Sequence, residues 1–315
     1  MAPSAEPASF WGMRPSGTEE QASPPAAGPV ARSISLVLGG GGARGWAHIG
    51  AIRALQEAGL SIRSIAGCSM GALVGGIHAM GKLPELEAWA RRIDRRQIFS
   101  LVDISFGGGG LLKGERVIAA LRGLVGEVRI EDLPVRFTAV AADIVREREV
   151  WIDDGLLFEA IRASMSLPLF FTPVDRNGVR LVDGGVFDPV PIGPTYRDGT
   201  DLTVAVSLSG LASRSGVGPA PAAPDARPPG RPRRRAAWDL SYVLSQSLDA
   251  MQGVITRQKL AAHPPDLLIE IPRDACGLLD FERAADLIAL GYDLSRRRLA
   301  APDAVALVSG PTAPR

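Results

Sequence analysis

The sequence predicts an α/β protein built on a parallel central sheet. Two short apolar runs, 34–38 and 62–66, each lead directly into a glycine-rich turn. Runs of β-branched and aliphatic residues of this length are typical of buried parallel strands. A helical pattern follows each turn. The order strand, helix, strand, helix therefore favours a parallel sheet covered by helices.

The two helices after these turns are predicted from their apolar residues. From Trp46 to Leu55 the large apolar residues recur every three positions, and Gly59 follows where a helix commonly ends. Residues 70–80 are apolar or small on every side. That composition is typical of a helix buried on all faces.

The rest of the chain continues the same alternation. Asn177-Gly178 between two apolar runs predicts a two-residue hairpin. Further strands are predicted at 137–142, 150–152, 171–174, 179–182, 202–208 and 266–271, and further helices at 84–98, 114–125, 156–164, 238–262 and 281–299.

Composition excludes several classes of protein. Hydrophobic residues make up 46% of the 315, enough for a sizeable core. Lys plus Arg number 35 against 34 for Asp plus Glu, so no net charge attracts nucleic acid. Cys68 and Cys276 alone form neither a disulfide framework nor a zinc site. With no apolar run of membrane-spanning length and no signal-peptide pattern, we expect a soluble cytoplasmic protein.

Composition also divides the chain. Residues 1–32 predict a disordered tail, 33–300 one folded domain, and 301–315 a C-terminal tail. Within the domain, 209–236 is dense in Pro, Gly and Arg and predicts a mobile surface insertion. A solvated linker is the simpler interpretation. Contact of its arginines with anionic lipid headgroups, at the inner membrane face, is the alternative. Nothing in the sequence indicates an oligomeric state.

The second glycine-rich turn has the form of a nucleophile elbow. In Gly67-Cys68-Ser69-Met70-Gly71, a serine lies between a strand and a helix, with small residues two positions to each side. A sharp turn exposes the central side chain, and larger flanking residues would collide with the backbone. Ser69 would also lie at a helix N-terminus, which favours negative charge.

The first turn offers free backbone N–H groups, which suit a phosphate or an oxyanion. Gly40-x-Gly42-x-x-Gly45 also fits a dinucleotide-binding fingerprint. That fingerprint requires an acidic residue at the end of the second strand. Here Gly67-Cys68-Ser69 occupies that place. The nucleotide interpretation therefore fails at its most informative position.

A serine nucleophile needs a base. The chain has three histidines, and His48 and His78 lie within helices where a structural role is the simpler reading. His263 follows Asp183, which gives the chain order of a Ser, Asp, His triad. Alternatively, Asp183 acts directly, since Asp183-Gly184-Gly185 ends a buried strand in a tight turn. Residues 101–112 and 167–171 are candidate walls for an apolar substrate, and 107–110 a candidate lid hinge.

Taken together, these motifs resemble the patatin-like phospholipase family, in particular its bacterial members and the catalytic domains of neuropathy-target-esterase type. The resemblance covers about 33–300. Its segments are Gly40-Gly41-Gly42-Ala43-Arg44-Gly45, the elbow at 67–71, 163–168 with Phe171-x-Pro173-Val174, Asp183-Gly184-Gly185, Leu279-Asp280-Phe281 and Gly291-Tyr292.

This resemblance implies a three-layer α/β/α sandwich with a mostly parallel central sheet. It implies a Ser–Asp dyad, with Ser69 as nucleophile, Asp183 as general base and an oxyanion hole from Gly40, Gly41 and Gly42. The motif glycines Gly45, Gly67, Gly71, Gly184 and Gly185 would support these groups.

The implied activity is hydrolysis of fatty acyl esters in phospholipids or lysophospholipids, without metal or cofactor. Arg44 matches a basic position of the glycine motif, either as a ligand-binding charge or as a brace for the loop. Asp188 stands where an amide is expected, and its carboxylate is expected to raise the pKa of Asp183. A non-catalytic regulator that binds lipid or protein on the same fold remains the alternative.

Overall fold

A computed structural model describes residues 32–103, 110–212 and 240–309, all within one unit, Ala31–Arg315. The sequence-based predictions of an N-terminal tail at 1–32, of the lid hinge at 107–110 and of the insertion at 209–236 lie largely outside these residues. The described strands are β1 Ser33–Leu38, β2 Ser61–Cys68, β3 Gly110–Leu112, β4 Arg136–Asp143, β5 Arg148–Ile152, β6 Leu169–Phe171, β7 Val174–Arg176, β8 Val179–Asp183, β9 Leu202–Gly210 and β10 Leu267–Pro272.

Helices connect most of these strands, as the alternating sequence pattern predicts. They are α1 Ala47–Glu57, α2 Met70–Ala79, α3 Leu83–Ala90, α4 Arg95–Ser100, α5 Glu115–Val125, α6 Leu157–Ser164, α7 Leu240–Ala262, α8 Ala284–Leu299 and α9 Pro302–Ser309. A short 3₁₀ segment, Gly42–Trp46, precedes α1.

The central sheet is mixed and mostly parallel. Its strand order is β10-β9-β1-β2-β4-β8-β7, with β5 also paired to β4. The pairs from β10 through β4 are parallel, whereas β4–β5, β4–β8 and β7–β8 are antiparallel. The carboxyl ends of β1, β2 and β9 therefore meet at one edge. The predicted α/β class is confirmed.

Side chains alternate between the two faces of this sheet, as the period-2 geometry of strands requires. Leu36 and Leu38 of β1 belong to a large buried cluster with residues of α1, α2, α6 and α8. Val37 points to the other face, into a smaller cluster with Val190 and with Leu260 of α7. Helices thus cover both faces, and α7 lies on the side opposite α1 and α2.

Helices α1 and α8 pack with their backbones in direct contact. A Cβ on Gly50 would lie 2.0 Å from the Ile288 carbonyl oxygen, and one on Gly291 would lie 2.0 Å from that of Ala47. Glycine at both crossing points is therefore a steric requirement. Because α8 also packs on β10, this contact fixes the C-terminal part of the chain against the first βα unit.

The predicted hairpin is present, and the predicted C-terminal tail is partly helical. Asn177 and Gly178 take φ values of 51° and 74°, as a primed turn requires, and join the antiparallel strands β7 and β8. Residues Pro302–Ser309 form α9, and Ala304 is fully buried. Proline at the first helical position explains why a helix starts there. None of the described helices is long and apolar enough to cross a membrane.

Candidate active site

Ser69 occupies a strained turn between β2 and α2. Its φ of 54° and ψ of −121° lie in a region that residues other than glycine avoid. The flanking glycines permit this turn. A Cβ on Gly67 would lie 2.6 Å from the Ala72 Cα, and one on Gly71 would lie 2.1 Å from the Leu38 carbonyl oxygen. The predicted elbow geometry is what the chain adopts.

A second serine holds the elbow in place. The Ser69 N–H donates to the Ser164 hydroxyl at 2.9 Å. That hydroxyl in turn donates to the Val140 carbonyl oxygen at 2.6 Å. Ser164 is fully buried at the C-terminal end of α6, so it couples the elbow to α6 and β4. Ser164 lies within the family segment 163–168, but no motif predicts this role for it.

The strand register brings Asp183 to the level of the elbow. Cys68 pairs with Val140 of β4, and the next β4 residue, Ala141, pairs with Asp183 at the end of β8. The chain then turns sharply. A Cβ on Gly184 would lie 2.2 Å from the Val140 carbonyl oxygen, so only glycine fits. This geometry places the carboxylate beside the elbow across β4.

The two oxygens of the Asp183 carboxylate have different surroundings. Oδ1 accepts from the Gly185 N–H at 2.8 Å and from the Cys68 thiol at 3.7 Å. Oδ2 is buried and accepts no hydrogen bond of ordinary geometry from the described residues. The carboxylate is therefore oriented through one oxygen, and the other remains available for a reaction.

Burial raises the pKa of Asp183 from 3.8 to about 6. The Ser69 hydroxyl, the Gly185 N–H and the Cys68 thiol act in the opposite direction by stabilising the charged form. A carboxyl group with a pKa near 6 accepts a proton more readily than an ordinary aspartate and is still ionised at neutral pH.

The glycine loop lies next to Ser69, but its N–H groups are not equivalent. Gly40 donates to the Pro189 carbonyl oxygen at 2.8 Å, so its N–H is already engaged. Of the three glycines predicted to form the oxyanion hole, Gly40 is thus the one whose N–H has a backbone partner outside the loop. Gly41 and Gly42, in the described part of the chain, donate to no backbone oxygen outside their own short helix. Gly42 has a φ of 58°, and a Cβ there would lie 2.4 Å from the Leu278 carbonyl oxygen.

Arg44 braces this loop from behind. Its Nε donates to the Gly41 carbonyl oxygen at 3.1 Å, its Nη1 to that of Arg273 at 2.7 Å, and its Nη2 to Asp249 of α7 at 2.7 Å. The Arg44 side chain is only 3% exposed. Of the two roles considered from sequence, the brace fits these contacts. Gly45 lets α2 approach closely, since a Cβ there would lie 2.3 Å from the Met70 Cβ.

A small apolar cavity lies over these groups. It has a volume of about 40 Å³, close to the share of a single water molecule in the liquid, which is about 30 Å³. Its lining includes Ser69, Asp183 and the glycines 40–42, with apolar walls from several elements. These walls include Met165, Leu167, Phe170, Phe171, Leu248 and Leu278. The predicted wall at 167–171 therefore lines the cavity, whereas no described residue of 101–112 does.

The histidines are not placed to act as the base. His48 is buried with Nε2 2.8 Å from the Gly39 carbonyl oxygen, and burial lowers its pKa to about 4. His78 lines a shallow cavity of about 510 Å³ with residues from the amino ends of the strands. His263 packs against Tyr196 beyond the end of α7, just before β10 begins. The two ends of a strand as long as β2 are more than about 20 Å apart. His78 and His263, at the amino ends of the strands, are therefore far from Ser69 at the carboxyl end of β2.

Asp188 does not act on Asp183 as expected. The pKa of Asp183 is raised by its own burial, and Asp188 is not among the contributing charges. Asp188 instead lies 3.6 Å from the Lys259 ammonium and next to Glu149. Burial, followed by the repulsion of Glu149, raises the pKa of Asp188 to about 8. This carboxyl belongs to a separate polar cluster that fastens the C-terminal part of α7.

Comparison with known proteins identifies the family of this chain. The sequence model described as "Patatin-like phospholipase" matches residues 36–196, which span the glycine loop, the elbow and Asp183. An uncharacterised NTE family protein of Mycobacterium tuberculosis is 37% identical over 333 aligned residues, covering 85% of this chain and 91% of the relative. A protein of the same description from Mycobacterium bovis matches equally well.

More distant relatives are longer proteins. A protein named lysophospholipase NTE1 from Coccidioides immitis is 29% identical over 85% of this chain, which covers 18% of the relative. Among solved structures, VipD from Legionella pneumophila aligns with a TM-score of 0.44 and 16% identity, over 86% of this chain and 67% of that one. On the family match and the mycobacterial relatives, this chain belongs to the patatin-like phospholipase family.

Proposed function

We propose that the chain is a serine acyl hydrolase that cleaves fatty acyl esters of phospholipids or lysophospholipids through Ser69 and Asp183. One observation carries the proposal. A half-buried serine in a strained turn lies beside a buried carboxylate that is held through one oxygen and free at the other. Structural aspartates are normally hydrogen-bonded through both oxygens, so a half-engaged buried carboxylate favours a reactive role.

The reaction follows from the positions of these groups. Asp183 takes the proton of the Ser69 hydroxyl while Oγ attacks the ester carbonyl carbon. The N–H groups of Gly41 and Gly42 stabilise the oxyanion, at about 3 kcal/mol per well-placed donor. As the ester bond breaks, Asp183 returns the proton to the departing alcohol. Asp183 then removes a proton from water, which attacks the acyl-enzyme and releases the fatty acid.

The apolar cavity supports a fatty acyl substrate. Its walls offer methionine, leucine and phenylalanine side chains, which suit a hydrocarbon chain. At about 40 Å³ it is too small for one, so substrate entry requires the walls to move apart. The name lysophospholipase on the fungal relatives favours single-chain phospholipids as the first substrates to test.

Labelling with a fluorophosphonate probe tests the dyad directly, because such probes react only with an activated serine. We expect labelling of the wild type, none of Ser69→Ala, and strongly reduced labelling of Asp183→Asn. His263→Ala serves as the control and should label normally. Loss of labelling in His263→Ala would establish a triad in place of the dyad. A folded but unlabelled wild type would favour a non-catalytic lipid-binding protein.

The substrate class needs a second experiment. Fatty acid release is measured from a lysophosphatidylcholine, a diacyl phosphatidylcholine and a triacylglycerol with the same acyl chain. We expect release from at least one of the two phospholipids, abolished by Ser69→Ala. Release from the triacylglycerol alone would contradict the assignment to phospholipids while leaving the dyad intact.

A further inference from the structure

A glutamine on α7 is the remaining polar side chain of the cavity. Among the described residues that line it, Ser69, Asp183 and Gln252 have polar side chains, and all others are glycine or apolar. Gln252 is 7% exposed. A primary amide is costly to bury in an apolar wall unless it makes hydrogen bonds. In substrate pockets, a few placed polar groups among apolar walls fix the orientation of the ligand.

The Gln252 amide lies next to the reactive carboxylate. The position that a Cβ on Gly185 would occupy is 2.5 Å from Gln252 Nε2 and 3.0 Å from Asp183 Oδ1. The amide therefore lies near Oδ1, the oxygen that the Gly185 N–H holds, and it lines the same small cavity as Ser69 and Asp183. An amide both donates and accepts hydrogen bonds, so either orientation of this side chain presents a polar contact there.

Two charged contacts position the helix that carries Gln252. Asp249, one turn earlier on the same face, accepts from Arg44 behind the glycine loop. Lys259, two turns later on that face, contacts Glu149 and Asp188. The helix is thus fastened on both sides of Gln252. Such support is what a side chain needs if it is to hold a reacting group in place.

We infer that Gln252 donates a hydrogen bond to the oxygen atom that exchanges a proton with Asp183 at the acyl carbon. In the first step this is the oxygen of the departing alcohol, and in the second step it is the oxygen of the attacking water. This inference rests on the proposed function. Both oxygens exchange a proton with Asp183, so they must occupy the same place beside its carboxylate. The cavity volume of about 40 Å³ is enough for that one water.

The proton balance is unchanged by this contact. When the ester bond breaks, its electron pair stays on the alcohol oxygen, which receives a hydrogen bond from the Gln252 N–H and the proton from Asp183. In the second step the water oxygen accepts from the same N–H and gives one proton to Asp183 as its bond to the acyl carbon forms. That proton then returns to Ser69.

The test separates acylation from deacylation in Gln252→Leu with a p-nitrophenyl ester. Because p-nitrophenoxide is a stable anion, its departure needs little help from a hydrogen-bond donor, whereas the attacking water is the same for every ester. We expect kcat to fall about five- to tenfold, the size of one lost hydrogen bond. KM should fall in parallel, so that kcat/KM stays within about twofold of the wild type. A pre-steady-state burst should appear or grow.

Gln258→Leu is the matched control, since Gln258 lies on the exposed side of the same helix. It should leave kcat, KM and the burst unchanged. A Gln252→Leu variant that loses burst rate and steady-state rate equally, or that retains the wild-type kcat, overturns the inference. In both cases normal fluorophosphonate labelling of the wild type and the variant leaves the Ser–Asp proposal standing. A wild type that does not label overturns both.

Discussion

Replacing Asp183 by Asn is expected to abolish turnover and, at the same time, to stabilise the fold at neutral pH. The Asp183 carboxyl is 1% exposed, and burial raises its pKa from 3.8 to about 6. Because the folded state favours the protonated form, the contribution of Asp183 to stability is greatest below about pH 4 and is lost as the pH rises through about 6. At 1.36 kcal/mol per unit, the loss amounts to about 3 kcal/mol.

Asparagine removes this cost because it cannot ionise, while its side-chain oxygen can still accept from the Gly185 N–H. The free energy of unfolding of Asp183→Asn, measured relative to the wild type, should therefore increase with pH. With a pKa of 3.8 in the unfolded state and about 6 in the folded state, the linkage relation assigns about 1.4 kcal/mol of that increase to the interval from pH 5 to pH 8. The remainder lies below pH 5.

Urea unfolding followed by tryptophan fluorescence at pH 5, 6 and 8 measures this difference. Other groups that titrate in this range, Asp188 among them, are common to both proteins and cancel. Asp175→Asn is the control for the Asp-to-Asn change itself, because Asp175 is 67% exposed on β7 and its replacement relieves no burial. If the Asp183→Asn and wild-type curves stay parallel from pH 5 to pH 8, the reasoning about a desolvated carboxylate is refuted.

Three further substitutions test the supports of the site. Gly71→Ala places a Cβ 2.1 Å from the Leu38 carbonyl oxygen, so fluorophosphonate labelling should be lost. Circular dichroism should still report a folded chain. Full labelling would contradict the steric argument. Ser164→Ala removes the partner of the Ser69 N–H and one donor to the Val140 carbonyl oxygen, so it should lower the free energy of unfolding in urea by about 1–3 kcal/mol. No change would remove its role in holding the elbow. Arg44→Met removes the partner of Asp249, whose side chain is 24% exposed, and should cost about 1.5–3 kcal/mol, the range for a hydrogen bond between charged groups. Proteolysis in α7 should become faster, and unchanged cleavage would mean that α7 is held elsewhere.

The fold was predictable where local chemistry and global topology agree. The strand at 34–38 and the turn at 67–71 could be predicted because few other structures fit a short buried apolar run followed by glycines. The Asn177-Gly178 hairpin was equally clear, since positive φ at two successive positions favours these residues. The helix Pro302–Ser309 was missed because one buried residue, Ala304, gives no periodic signal.

The site was predictable only in part, for a related reason. Motifs mark residues whose backbone is constrained, such as Gly67 and Gly184, and therefore point to the elbow and to the turn after Asp183. Contacts that depend on three-dimensional packing leave no such mark. Gln252 and Asp249 reach the cavity and the glycine loop from a helix that follows a long, compositionally unusual segment. The engagement of the Gly40 N–H by Pro189 is likewise a contact that no motif encodes.

The proposed dyad raises the question of how an aspartate replaces the histidine used by most serine hydrolases. An exposed carboxylate with a pKa near 3.8 is a weak base for a hydroxyl proton, whereas imidazole titrates near 6.5. Burial brings the pKa of Asp183 to about 6, close to the imidazole value, and the Ser69 hydroxyl, the Gly185 N–H and the Cys68 thiol keep it from rising further. The Gly185 and Cys68 donors act on Oδ1, which leaves Oδ2 to accept a proton. In the proposed dyad, a single carboxylate, desolvated and held through one oxygen, would supply both the basicity of a histidine and the orientation that a triad obtains from its third member.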